Sequence, residues 1–270
     1  MSEKVSEADI TAPKLPVAEA DLHLDIDQRE TVTLVTVRPS SPKTPVPKVK
    51  KAELPGPKVL ADIRLARLFQ ERSRQLGLSF FFGEETNVSS LGVTSSIAGE
   101  GKSFMTMTLA NILAESIENP VTLLECNWEH PCFHEYFDLN PVPGLAEWLR
   151  GECQVGAIRH QVRPNLTAIP AGNGHHDAVK LLQLLKKNKA TDTFLHGDGL
   201  LIVDLPPVIT SAYGALAASL VDSLILVIHA GVTTNLMVAE ALNQLKNAHI
   251  HGMVLNQMNS RIPRWIRRLL

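Results

Sequence analysis

Ser95-Ser-Ile-Ala-Gly-Glu-Gly-Lys-Ser103 is the stretch that decides the fold. It follows the apolar run Leu91 to Thr94 and precedes a helix-like segment from Phe104 to Glu118. Strand, glycine loop and helix in that order form the context a phosphate-binding loop requires. Gly99 and Gly101 let backbone N–H groups turn inward, and the start of the following helix adds partial positive charge. Lys102 supplies a full charge, and the Ser103 hydroxyl can reach Mg²⁺. The candidate nucleotide-binding residues are Ala98, Gly99, Glu100, Gly101, Lys102, Ser103 and Phe104, with a phosphate group and Mg²⁺ as what the loop itself can hold. One position departs from the general pattern G-x-x-x-x-G-K-[ST], because its first glycine falls at Ser96.

Outward from this loop, the composition describes a globular, soluble protein. The chain has 270 residues, enough for one large domain or two small ones, and 44% hydrophobic residues supply a sizeable core. A formal net charge of −2 gives no global reason to expect a nucleic-acid partner. The three cysteines, Cys126, Cys132 and Cys153, are odd in number and lack C-x-x-C spacing. They read as reduced thiols of the cytosol and as small buried hydrophobes, not as a disulfide framework or a zinc site. The N-terminus is acidic and polar with no apolar core of a secretory signal, so a cytosolic start is expected. The most apolar late run, Leu216 to Ala230, is interrupted by Asp222 and falls short of the ~20 residues a membrane-spanning helix needs.

Residues 1–57 read as a Pro-rich, mostly disordered tether, with Pro39, Pro42, Pro45, Pro47, Pro55 and Pro57 interleaved with lysines. Within it Thr31 to Val37 alternates like a strand that docks on a partner or on the edge of the main sheet. Residues 58–260 read as the nucleotide-binding domain. It opens with a basic amphipathic helix from Lys58 to Gly77 and an extended piece at Phe80 to Phe82. Strands are expected at 91–95, 121–125, 166–170, 200–204, 223–229 and 251–256. Helices are expected at 103–118, 144–150, 177–187, 211–220 and 233–247. This alternation with wholly apolar strands predicts an α/β architecture, the three-layer P-loop NTPase fold, with a mostly parallel central sheet and helices on both faces. Ligands then bind at the carboxyl ends of the strands.

Phosphate loops work with a carboxylate at the end of a neighbouring strand. Leu200-Leu-Ile-Val-Asp204-Leu-Pro-Pro207 supplies one, because the prolines stop the ladder just after Asp204. Asp204 and Ser103 are the candidate metal ligands.

With Gly99 to Ser103 and Asp204 to Pro207 in place, the chain from about Leu60 onward resembles the cytoplasmic kinase domain of the bacterial tyrosine kinases of capsule and exopolysaccharide synthesis. That family lies within the P-loop ATPases that include plasmid-partition and septum-site proteins. Further matches are Pro131, Pro143 to Glu152, Asn165 to Gly172, Leu220-Val-Asp222 and Gly252 to Asn256. The resemblance nominates Asn256 as a contact to the adenine base, which its two-sided amide suits. It implies a membrane chain-length determinant, or polysaccharide co-polymerase, as partner, together with self-association.

Departures from the family pattern carry equal weight. Where the family's second Walker motif has Asp-x-Asp-x-Arg, this chain has Glu125-Cys-Asn127-Trp-Glu129. Glu125 is the candidate base beside Lys102, yet its extra methylene moves the carboxylate by more than about 1 Å, and misplacement on that scale costs about 100-fold in rate. Asn127 takes no proton, and Glu129 reverses the charge of a usual arginine. Tyr213 stands where relatives often have aspartate, and His229 where they often have arginine. Only Tyr136 and Tyr213 are present, so autophosphorylation of a C-terminal tyrosine cluster is not expected. The family's oligomerising Glu-x-x-Arg-x-x-Arg helix is present as Ala61-x-x-Arg64-x-x-Arg67, without its glutamate.

These readings imply an ATP-binding protein of exopolysaccharide synthesis with weakened catalysis. The alternatives are an active tyrosine kinase or ATPase acting on a partner, and a partition or positioning ATPase. Against the last, Ser95, Ser96 and Ile97 lack the second lysine those relatives carry at the start of the loop. His175-His176 reads as a solvated loop pair. Residues 261–270 place Ile262, Trp265, Ile266 and Leu269 on one helical stripe among four arginines. That pattern suits either a weak contact with an anionic membrane surface or a helix closing the domain. If the membrane contact is real, deleting residues 261–270 lowers the membrane-bound fraction of the protein on cell fractionation; an unchanged ratio removes it.

Overall fold

The computed structural model of the protein describes residues 33–34, 63–82, 88–187, 190–195 and 198–257. The C-terminal stripe and, apart from Thr33–Leu34, the Pro-rich tether lie outside them.

Among the described residues, eight strands form one sheet. They are β1 (Thr33–Leu34), β2 (Ser90–Ser95), β3 (Val121–Glu125), β4 (His160–Arg163), β5 (Leu166–Ile169), β6 (Leu200–Asp204), β7 (Ser223–His229) and β8 (Ile250–Asn256). Their order across the sheet is β1-β8-β7-β2-β6-β3-β5-β4. Every pairing is parallel except the edge hairpin of β4 with β5. The two residues of β1 pair with Val254 and Leu255, so this part of the expected 31–37 strand lies on the sheet edge.

Helices α1 (Ile63–Phe82), α2 (Lys102–Ser116), α3 (Phe133–Phe137), α4 (Leu145–Leu149), α5 (Ala178–Lys187), α6 (Ala190–Phe194), α7 (Gly214–Ala217) and α8 (Asn235–Gln244) complete the fold. The extended piece expected at Phe80 to Phe82 is instead the last turn of α1. A side-chain period of two explains why the central strands are apolar throughout, since each feeds two cores. Leu123, Ile202, Ile225 and Val227 point to the face covered by Leu76 of α1 and by Met105, Leu109 and Leu113 of α2. Their neighbours Leu124, Leu201, Val203, Leu224 and Leu226 point to the other face, against Leu145, Leu181, Leu185 and Ala217. The result is the three-layer arrangement of a P-loop NTPase fold.

Because β2, β3, β6, β7 and β8 run the same way, Ser95, Glu125, Asp204, His229 and Asn256 end at one rim of the sheet. At the opposite rim, Asp222 fastens the start of β7 to that of β2. Its Oδ2 accepts hydrogen bonds from the Ser89 and Ser90 amides at 3.0 and 2.9 Å and from their hydroxyls at 3.1 and 2.8 Å. Burial would raise the Asp222 pKa, but these hydrogen bonds outweigh it and hold it below the ordinary value. A depressed folded-state pKa gives stability that is full above the unfolded-state value and lost as pH falls through the folded one. Asp222→Ala is therefore expected to cost about 1–2 kcal/mol at neutral pH, after discounting for exposure. The cost shrinks in acid below about pH 4, as urea melts at both pH values will read.

Candidate functional site

The loop from Ser95 to Gly101 joins the buried strand β2 to α2, and the sequence fixes its path. Gly99 and Gly101 sit at φ 85° and 90°, a left-handed conformation that disfavours other residues. Gly101 is also sterically confined, since a Cβ there would lie 2.2 Å from Asn256 Nδ2. Gly101 caps α2 without a side-chain hydrogen bond, so the loop leads directly into the first helical turn, the positive end of the helix dipole. Ala98 and Gly99 are exposed at the loop tip, Ser103 and Phe104 are half-buried, and Lys102 is 7% exposed.

Lys102, Ser103 and Asp204 converge. Lys102 Nζ lies 3.4 and 3.5 Å from the two Asp204 oxygens and 3.0 Å from Ser103 Oγ. The Ser103 hydroxyl donates to Asp204 Oδ2 at 2.7 Å, and Thr106 Oγ1 lies 3.3 Å from Oδ1. Asp204 is fully buried at the end of β6, and Glu125, equally buried, is its register partner on β3.

Glu125 has its own partners. Its Oε1 accepts from the amides of Cys132 at 2.5 Å and Phe133 at 3.0 Å, and its Oε2 from the amide of Ala171 at 3.0 Å. Burial, helped by the neighbouring Asp204 charge, raises the Glu125 pKa to about 7 against the lowering effect of those amides. Cys132 stands beside the pair. Burial and the Asp204 and Glu125 charges push its thiol well up, while Lys102 and Ser103 act in the other direction.

The structure places Glu100 and Asn256 at the seam between the loop and the next strands. The Glu100 side chain is 1% exposed. Its Oε2 accepts from Ile97 N at 2.8 Å, and its Oε1 accepts from His229 N at 3.0 Å and from the Thr233 hydroxyl. Asn256 is 2% exposed, donates from Nδ2 to Glu100 O at 2.8 Å and accepts from Gln257 N at 2.9 Å. Both sides of its amide thus have protein partners.

Other residues singled out in the sequence scatter around this centre. The Tyr213 hydroxyl accepts from Trp128 N at 3.0 Å, and the Trp128 indole donates to Ala171 O at 3.0 Å, so the turn after β3 is pinned by aromatic groups. Glu129 accepts from Ser211 Oγ at 2.8 Å. Asn127 is 1% exposed and donates to His130 O at 3.1 Å. His175 and His176 are exposed. Of the cysteines only Cys126 is fully buried; Cys132 and Cys153 are partly accessible, contrary to the expectation of three buried hydrophobes.

A glycine loop between strand and helix, a lysine and a serine at the helix start, and a buried aspartate on the adjacent strand define a protein of the P-loop NTPase fold. No protein-family model matches the chain. It is 28% identical over 197 residues to EpsB of Ralstonia solanacearum, covering 72% of this chain and 26% of that one. It is 27% identical over 186 residues to the tyrosine-protein kinase CpsD of Streptococcus agalactiae, covering 67% of this chain and 80% of that one. The kinase domain of the Escherichia coli tyrosine kinase ETK superposes with a TM-score of 0.68 at 23% identity, over 87% of this chain and 92% of that one. Over two thirds or more of its length the chain is thus similar to proteins named bacterial tyrosine-protein kinases. The chain corresponds to about a quarter of the length of EpsB.

Gly101→Ala tests the loop geometry. The left-handed conformation alone costs a non-glycine residue about 1–3 kcal/mol, and the added methyl also displaces the Asn256 amide. A lower melting temperature is expected, whereas Gly151→Ala, at a positive φ with open space around it, loses less.

Proposed function

We propose that the protein is an ATP-binding component of exopolysaccharide or capsule synthesis, similar to the cytoplasmic tyrosine-kinase part of those systems, with weakened phosphoryl transfer. In this reading it sits at the inner face of the cell membrane. It docks in a nucleotide-dependent way on a membrane chain-length determinant and so regulates polymer length or export. Among the described residues no helix is long and apolar enough to cross a membrane.

The observation that carries this reading is the contrast between the two carboxylates at the rim. Lys102, Ser103 and Asp204 are arranged as a phosphate and cation site needs. Lys102 would hold the β- and γ-phosphates, the amides at the start of α2 would donate to them, and Ser103 with Asp204 would offer oxygen ligands to Mg²⁺. The donor set fits both ligands. A bound nucleotide with Mg²⁺ would bring the transferable phosphoryl group and its charge neutralisation. Glu125 instead gives both of its oxygens to backbone amides. A general base has to reach the proton it takes, and a carboxylate held by three amides is poorly placed to turn towards one.

The alternative, an active ATPase or protein-tyrosine kinase acting on a partner, draws on the nearness of Glu125 to Asp204 and on the names of the relatives. A partition-type ATPase is the weakest reading, for want of a lysine at Ser95, Ser96 or Ile97.

Measurement of nucleotide binding and turnover on the purified protein separates these. The proposal expects ATP to bind with a divalent cation, Lys102→Ala to weaken binding at least tenfold, and neither phosphate release nor phosphotyrosine to appear with a candidate partner. Turnover that disappears in Glu125→Gln establishes the alternative. Absence of any ATP binding overturns both.

A further inference from the structure

A sulfur stands beside Asp204 and Glu125. One oxygen of Glu125, one of Asp204 and the Sγ of Cys132 all lie within 4.8 Å of one another. Cys132 is held there by its own amide, which donates to Glu125 Oε1 at 2.5 Å just before α3 begins. Its neighbours pose an electrostatic problem. Two fully buried carboxyl groups face each other across adjacent strands, and the nearest cation, Lys102, stands 3.4 Å or more from Asp204. Charge-assisted N–H···O contacts close to about 2.7–2.9 Å, so the Asp204 carboxylate is held loosely by that lysine.

Resting on the nucleotide-site reading above, we propose that Cys132 is a direct ligand of the divalent cation. It works with Asp204 and Glu125, and tilts the site from Mg²⁺ towards softer ions such as Zn²⁺, Co²⁺ or Cd²⁺. Ligand chemistry carries the argument. Mg²⁺ demands oxygen donors in near-ideal octahedral geometry, whereas thiolate selects softer metals. Metal–sulfur and metal–oxygen bonds of about 2.3 and 2.0–2.2 Å put two ligands of one tetrahedral centre roughly 3.5 Å apart. A closure of roughly 1 Å from the present spacing therefore brings all three atoms into range. The ion displaces the thiol proton to solvent and forms the metal–sulfur bond, with no change of oxidation state. Ser103 and Asp204 remain oxygen donors, so Mg²⁺ still binds; the preference shifts.

Co²⁺ reports thiolate ligation directly, through a sulfur-to-metal charge-transfer band in the near ultraviolet. Titrated into the protein without nucleotide, Co²⁺ is expected to give that band. Cys132→Ser loses it, while Cys126→Ser and Cys153→Ser keep it. In parallel, a fluorescent ATP analogue is expected to bind about tenfold more tightly with Cd²⁺ than with Mg²⁺, and Cys132→Ser removes most of that ratio. An absent band, or one that survives in Cys132→Ser, overturns the inference. ATP-analogue binding with Mg²⁺ and no Co²⁺ band overturns it while leaving the nucleotide reading intact. A Cys132-dependent band without any nucleotide binding supports the metal site and overturns the nucleotide reading.

Discussion

Two buried carboxyl groups opposite each other on neighbouring strands, Glu125 and Asp204, impose the constraint that the rest of the site answers. Charge is costly to bury, and like charges side by side make it more so. The fold deals with each group differently. Asp204 receives cationic and hydroxyl partners in Lys102, Ser103 and Thr106, which requires the loop after β2 to deliver α2 with its first turn directly against β6. Glu125 receives backbone amides, which requires the turn before α3 and the segment after β5 to fold over the end of β3. Even so, its pKa rises to about 7, so burial costs Glu125 more than its amides return. Glycine loop, turn and strand ends are therefore parts of one electrostatic solution.

A third buried carboxylate extends that solution sideways. Glu100 lies inside the glycine loop itself, yet its oxygens are bound to Ile97 on one side and to His229 and Thr233 on the other. With Asn256 donating to the Glu100 carbonyl, the loop is tied to the ends of both β7 and β8. A loop held at so many points has little conformational freedom left to lose when it closes on a ligand, and this is how preorganisation favours binding. The same contacts confine Gly101, whose missing Cβ leaves the space that the Asn256 amide fills.

How far the sequence reveals this differs between elements, for physical reasons. The central strands are legible because burial on both faces makes them continuous apolar runs, as in Leu200 to Val203. The glycine loop between β2 and α2 is legible because its backbone signals, Gly99 and Gly101 between a strand and a helix, are local. Strand β4, His-Gln-Val-Arg, is not, because a half-exposed antiparallel edge strand carries no apolar run. Helices α3 and α6, five residues each, are too short to show a helical period. Glu100 reads as one more loop residue, because the partners that bury it are 129 and 133 positions away in the chain. Cys132 was legible only as a small hydrophobe, since nothing local to it reveals two carboxyl groups brought alongside by β3 and β6.

The exchange of aspartate for glutamate at the end of β3 then has a structural logic under the proposed function. A shorter side chain there could not bend back to meet amides on both the turn before α3 and the segment after β5, and its carboxylate would stay directed at the phosphates. One added methylene gives Glu125 that reach. It bridges Cys132, Phe133 and Ala171, and so becomes a brace between two loops that line the site. In that reading the brace leaves the neighbouring group intact, because Lys102, Ser103 and Asp204 do not depend on Glu125 for their mutual contacts. Under the proposed function, binding and chemistry are thereby separable at this rim, and a protein that responds to nucleotide without consuming it needs only the first.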